Sequence, residues 1–196
     1  MKISTRILGK NVILVPYKEH HVSKYHEWMK SKELQYLTSS EPLTLEEEYA
    51  MQKSWHDAED KCTFIVLDKA AFEKDKNEIE SMIGDTNLFF NDVKYPHTAE
   101  AEIMIAEPIA RGRRMGWEAM ILMLRYGIEE LKVKQFCVKI AMDNERSINM
   151  FKKLGFIEVG RCDVFKEITM EKEVQNVWLK WLIGETHDSF RDQEYK

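Results

Sequence analysis

Apolar positions along the chain change their spacing several times, and each change predicts an element. Residues 10–17, K-N-V-I-L-V-P-Y, are rich in β-branched side chains and stopped by Pro16, which predicts an opening strand. Val22, Tyr25, Trp28 and Met29 then fall at helical spacing, so an amphipathic helix is expected over His20 to Met29. Thr44 and Glu47 form the pattern in which each side chain satisfies an orphan amide at a helix start, here a helix running toward Trp55. Strands are expected at 62–67, 81–90 and 99–106. The highly charged stretch 68–80 predicts an exposed connection, and 91–98, around Pro96, a loop. In A-E-A-E-I-M-I-A the even positions Glu100, Glu102 and Met104 share one face of the strand.

After Pro108 the period becomes helical. Trp117, Met120, Ile121, Leu124, Ile128 and Leu131 mark one face of a helix of about four turns. A strand at 136–140, a short helix from Asn144 to Leu154 ended by Gly155, strands at 157–164 and 166–174, and a terminal helix or turn at 177–183 with Trp178 and Trp181 complete the pattern. Strands with helices between them, no Gly/Pro/Ser linker and no internal repeat predict a single α/β domain over residues 1–184. Residues 185–196 are polar and expected to fray as a C-terminal tail.

Composition narrows the function classes. With 196 residues, 44% hydrophobic and 32% charged, the chain is neither a disulfide-held peptide scaffold nor mainly disordered. A formal charge of −5 argues against nucleic acid as a partner. The acidic surplus lies in residues 51–100, where 11 acidic residues face 6 basic ones, a balance suited to basic peptides. Cys62, Cys137 and Cys162 are far apart and fit a reducing compartment, so a cytoplasmic location is expected. No basic-then-apolar leader opens the chain and no apolar run approaches membrane-spanning length, so neither secretion nor a membrane partner is expected. The six His show no metal-ligand spacing, and no metal site is expected.

The most informative stretch is E-P-I-A-R-G-R-R-M-G-W-E-A at 107–119. A strand enters it and the strongest helix leaves it, so the turn presents backbone N–H groups where the helix dipole favours negative charge. Gly112 and Gly116 permit close approach, and Arg111, Arg113 and Arg114 add positive charge. These residues describe a pocket for the pyrophosphate of a cofactor; a solvated basic turn capping a core helix is the alternative they equally allow. Neither G-x-x-x-x-G-K-[ST] nor G-x-G-x-x-G is present.

R-G-R-R-M-G at 111–116 is similar to the loop [Q/R]-x-x-G-x-[G/A], and N-E-R-S-I-N-M-F-K-K-L-G-F at 144–156 to the signature N-x-x-[SA], aromatic, G-F. With L-G-K-N-V-I-L-V-P-Y at 8–17, Y-H-E-W-M at 25–29, S-E-P-L-T-L-E at 40–46 and C-T-F-I-V-L-D at 62–68, the chain resembles the GNAT superfamily of N-acetyltransferases, and within it the N-acetyltransferase 9-like proteins. The resemblance implies a mixed sheet of about seven strands with a splayed central pair and flanking helices. It implies acetyl-CoA as cofactor, its pantetheine along Ile103, Met104 and Ile105 and its diphosphate at Arg111, Gly112, Arg113, Arg114, Met115 and Gly116. Asn144 would contact the cofactor or brace the second loop, an ordinary helix N-cap being its other use. The implied acceptor is a protein or peptide amine, an N-terminal α-amine before a lysine. The resemblance also carries an association with tubulin or microtubules, so a weakly active protein that binds and regulates microtubules is the competing reading.

Acetyl transfer needs a neutral amine, yet an α-amine has a pKa of about 7.7–8 and a lysine about 10.4. A carboxylate that takes this proton is expected beside the thioester. By its position one residue before the implied cofactor contacts, and by the resemblance, that is Glu102; Glu100 shares its face and could tune or replace it. Trp28, on the first helix, either lines the acceptor groove or packs in the core. Two residues depart from the superfamily pattern. Phe151 stands where many members carry a Tyr that protonates the departing thiolate, and it can donate nothing; Tyr126 and Tyr95 offer hydroxyls by residue type alone. Arg114 stands at the first glycine of the loop motif, harmless in helical dihedrals and costly at positive φ.

Overall fold

The opening apolar run buries both of its faces. In β2 (Val12–Pro16) every residue is buried, Val12 and Leu14 in one layer and Ile13 and Val15 in the other. β3 (Lys61–Asp68) and β4 (Met82–Phe89) are buried along almost their whole length for the same reason. Central strands covered on both sides read as continuous apolar runs rather than as alternation. The computed structural model describes residues 4–90 and 97–192; the expectations placed on 91–96, Tyr95 included, lie outside the described residues.

The sheet is completed by β1 (Arg6–Leu8), β5 (Thr98–Ile105), β6 (Gln135–Ala141), β7 (Ile157–Cys162), β8 (Glu167–Glu173) and β9 (Phe190–Asp192), in the order β7-β8-β6-β5-β4-β3-β2-β1-β9. All neighbours are antiparallel except β5 and β6. The sheet thus has nine strands among the described residues rather than about seven, the two unforeseen ones being three-residue strands at one edge. The segment expected to fray supplies one of them: β9 pairs with β1, and Arg6 bridges Asp192 at 2.8 Å.

One layer of the core packs under α6 (Met115–Glu129) and α8 (Asn176–Glu185), where Met120 to Leu124 are all buried and the Trp178 indole donates to the Leu154 carbonyl at 3.1 Å. The other layer packs under α1 (Val22–Met29), α2 (Lys32–Leu37) and α3 (Leu45–Asp57), with Tyr25, Trp28, Met29 and Leu34 buried against Ile65, Leu67 and Met104. The Thr44–Glu47 capping box forms at the start of α3. The charged stretch expected as an exposed connection instead holds α4 (Lys69–Asp75) and α5 (Glu78–Ser81). Asp68 caps α4 by accepting from the Ala70 and Ala71 amides, yet α4 buries no residue, so it leaves no apolar period to read. α7 (Glu145–Lys153) completes the set beside the site. No helix among the described residues is long and apolar enough to cross a membrane.

Candidate active site

β5 and β6 pair only from Thr98–Gln135 to Glu100–Cys137, although β5 continues to Ile105 and β6 to Ala141. Beyond Glu100 the two strands part, and alternate β5 backbone groups that would have met β6 face an opening. This is the splayed pair expected. Two cavities occupy it, one of about 960 Å³ and one of about 380 Å³, and both are lined by Leu37, Thr38, Ile103, Met104, Asn144 and Ser147. They are two arms of one cleft that meet at the middle of β5.

The larger arm runs from that junction to the turn before α6 and is lined by Ile105, Arg111, Gly112, Arg114, Met115 and Gly116. Gly112 lies at φ +78°, and Arg114 at φ 61° and ψ 11°, so the turn does require left-handed backbone at the position where a side chain was expected to be costly. The Arg114 guanidinium lies 5.4 Å from the Trp117 ring, which holds the side chain along the first turn of α6. Gly116 lets α6 start against β5, because a Cβ there would come within 3.1 Å of Ile105 Cγ1. Arg111 is spent differently: its Nε donates to the Ile105 carbonyl at 2.9 Å and its Nη1 pairs with Glu33 at 3.1 Å, so it straps the end of β5 to the turn and to α2. Arg113 does not enter this arm; its guanidinium pairs with Asp68 at 3.1 Å. The cation that sequence reasoning missed is Arg146, in the first turn of α7, whose Nη2 would stand 3.7 Å from a Cβ at Gly112. Lys153, at the other end of α7, lines the same arm. Arg146 lay inside the N-x-x-[SA] motif, in a position the motif leaves open. Arg114, Arg146 and Lys153, the orphan amides of a helix start and two left-handed residues form a cradle that fits a diphosphate.

Asn144 serves as the N-cap of α7, accepting from the Ser147 amide at 3.1 Å, and it lines both arms. The two uses left open for it are therefore compatible, since the cap fixes Asn144 at the junction.

The smaller arm is acidic and aromatic, with Glu100, Glu102, Asp85, Tyr25, Trp55 and Phe151 in its wall. Burial, followed by the charges of Asp85 and Glu100, pushes the Glu102 carboxyl up to about 7. Glu100 is held by Lys139 at 2.8 Å and so is fixed as an ion-pair partner beside Glu102. Phe151 is buried at the foot of this arm, edge-on to Phe156 at 5.1 Å. Tyr126 is packed in the core against Phe64, away from both arms. Trp28 lines neither arm: it is buried, and its indole donates to Glu107 at 2.8 Å, tying α1 to the end of β5. Tyr25, one helical turn earlier, takes the place in the cleft wall considered for Trp28.

The fold gathers His20, His21 and Glu78, whose ligand atoms lie within 4.8 Å of one another, a grouping that spacing in sequence did not foresee. His21 Nδ1 accepts from the Lys18 amide at 3.0 Å, so the neutral ring carries its proton on Nε2 and aims it at Glu78, 2.7 Å away. Burial lowers the His21 pKa and favours that neutral ring. The nitrogen a cation would need is already protonated, and the cluster is a hydrogen-bonded clamp between α5 and the turn before α1.

Comparison with known proteins agrees with this geometry. The family described as "Acetyltransferase (GNAT) domain" matches residues 11–157. The chain is 53% identical over 184 residues to the alpha/beta-tubulin-N-acetyltransferase 9 of Drosophila melanogaster, covering 91% of this chain and 92% of that protein. It is 54% identical over 179 residues to an N-acetyltransferase 9-like protein of Nematostella vectensis, covering 90% of each. The fold is similar to the spermidine N-acetyltransferase of Vibrio cholerae solved with CoA and spermine, with a TM-score of 0.71 at 16% identity over 87% of this chain and 98% of that one.

Proposed function

Because the chain belongs to the GNAT acetyltransferase family, alongside N-acetyltransferase 9-like proteins, and so uses acetyl-CoA, we propose that it acetylates a protein N-terminal α-amine, with tubulin as the protein that carries it. The observation that carries this reading is the place of Glu102, a half-buried carboxyl in the acidic arm, one residue from the junction at Ile103 and Met104. A carboxyl pushed up to about 7 is matched to an α-amine, whose own pKa of about 7.7–8 makes the proton transfer nearly balanced.

Acetyl-CoA supplies an acetyl group already activated as a thioester. The residues do the rest. The turn at 112–116, with Arg114, Arg146 and Lys153, binds the diphosphate end; Ile103 to Ile105 offer backbone to the pantetheine. Glu102 takes the proton from the attacking nitrogen, and open β5 amides near Met104 stabilise the oxyanion. Phe151 excludes water from the foot of the acidic arm, and no side-chain acid is needed for a thiolate whose conjugate thiol has a pKa of about 8.5. The tubulin assignment is supported by the names of the relatives, and it implies a cytoplasmic, cytoskeleton-associated site of action. An open cleft favours turnover over the alternative of a microtubule-binding protein without activity.

Incubation of tubulin heterodimer with the protein and acetyl-CoA, followed by mass spectrometry of the N-terminal and lysine peptides, tests the reading. N-terminal acetylation that needs the protein is expected. Acetyl groups on lysine alone, or none above the no-enzyme control, would overturn the α-amine assignment.

A further inference from the structure

Three buried polar residues interrupt β4; Thr86 is satisfied by the Glu102 carbonyl at 2.8 Å, and the other two are Asp85 at 2% exposure and Asn87 at 3%. Asn87 is directly opposite Glu102 and Asp85 directly opposite Met104 in the β4–β5 ladder, so all four share one face of the sheet. Asn87 Nδ2 donates to Asp85 Oδ2 at 2.7 Å, whereas Asp85 Oδ1 is enclosed with no partner. A buried carboxylate oxygen without a donor is costly, and the usual resolution is a proton. Asp85 and Glu102 line the same arm of the cleft.

We propose that Asp85 is a second carboxyl coupled to Glu102 through charge across the β4–β5 face, so that the resting pair holds one proton and one negative charge and receives the acceptor amine as an ammonium ion. This rests on the reading of Glu102 as the base. Asp85 acts through Glu102 and is a positioning residue. Asn87 holds Oδ2, which leaves Oδ1 as the oxygen that carries the proton. Once the ammonium enters, Glu102 takes one of its protons, leaving a neutral amine and a fully protonated pair. The N–C bond then forms and the C–S bond breaks. Of the two protons the nitrogen gives up, one ends on the thiolate sulfur and the other leaves the pair to water, which restores its single negative charge. Like charges in one buried wall oppose two ionised carboxylates, and the single charge that remains favours an incoming cation.

The surroundings compensate that charge only in part. Glu100 faces the pair from β5, but Lys139 on β6 is engaged by it; Lys61 approaches from β3. Tyr17, Tyr25, Glu48 and Tyr49 stand on the side covered by α1 and α3, with His26 on Glu48 at 3.3 Å. Burial pushes Asp85, like Glu102, up to about 7.

The test is carboxyl-carbon NMR titration of ¹³C-labelled protein for the wild type, Asp85→Asn and Glu102→Gln, alongside the pH profile of kcat/KM on tubulin heterodimer. In the wild type the pair is expected to lose its two protons in separate steps on either side of 7. Asp85→Asn removes a like charge, so the Glu102 midpoint and the rising limb of kcat/KM move toward acid by about one pH unit. Glu102→Gln reads the same coupling from the Asp85 side, and serves should the Asn variant fail to fold. Two carboxyls that titrate in single, independent steps in the wild type, or a Glu102 midpoint unmoved in Asp85→Asn, would overturn the proposal. The base reading fails separately, through wild-type turnover in Glu102→Gln; an inactive Glu102→Gln with an unmoved midpoint in Asp85→Asn removes Asp85 alone.

Discussion

The two arms of the cleft meet at Ile103 and Met104 but are built by opposite means. The basic arm relies on a contiguous stretch: residues 111–116 supply a left-handed turn and a helix start, and α7 adds Arg146 and Lys153. The acidic arm is assembled from β4, β5, β6, α1, α3 and α7, and its character comes from side chains withdrawn from water. A diphosphate is recognised by oriented amides and surface cations, which tolerate hydration. Proton transfer needs a carboxyl whose pKa is displaced, and only burial and neighbouring charge displace it. The first arm can therefore be perturbed in affinity, and the second in rate, with little crossover.

The sharpest way to break that division is Glu102→Gln, which keeps shape and removes the base. Turnover should fall by about 10²–10³-fold while acetyl-CoA affinity by calorimetry holds. A parallel loss of affinity would mean that the arms are not separable. Phe151→Ala probes the foot of the acidic arm: emptying this buried site should cost about 3–4 kcal/mol by denaturant unfolding. Unaltered stability with a selective loss of turnover would show that the ring acts in the chemistry rather than in packing. Arg146→Ala should weaken acetyl-CoA binding by about tenfold, more at low salt than at high, without moving the pH profile. The smallest effect is expected at Arg114→Gly, where two consequences have opposite sign. Relief of the left-handed backbone should stabilise the fold by up to about 1 kcal/mol, and loss of the cation should reduce acetyl-CoA affinity by about threefold. Destabilisation in that variant would show that the Trp117 contact, not the backbone, dominates the position.

Much of the fold was legible because its longer elements carry their own periodicity: β2, β3, α3, α6, α7 and α8 all fall where spacing and caps put them. What escaped was short or uncovered. β1 and β9 are three residues each and exist through pairing between the two ends of the chain. α2 is six residues resting on the Ser31 cap, and α4 buries no residue fully, with Phe72 its contact to the core. In the site, the loop at 111–116 and the Asn144 cap were visible as local motifs, whereas Trp28 and Tyr25 share one helix face in sequence and part company only when α1 docks on the sheet. Asp85 left a trace, a charged residue inside a buried run, without any sign of what it faces.

Order along the chain by itself determined the longer strands and helices, the position of the phosphate-binding turn and the face of β5 that carries Glu100 and Glu102, because each follows from contacts within a few residues. Only the tertiary structure decided where β5 leaves β6, which arginines enter the cleft, and that Asp85 and Glu102 share one wall of it. Those depend on pairing register and burial between distant segments, where the cost of removing charge from water is set.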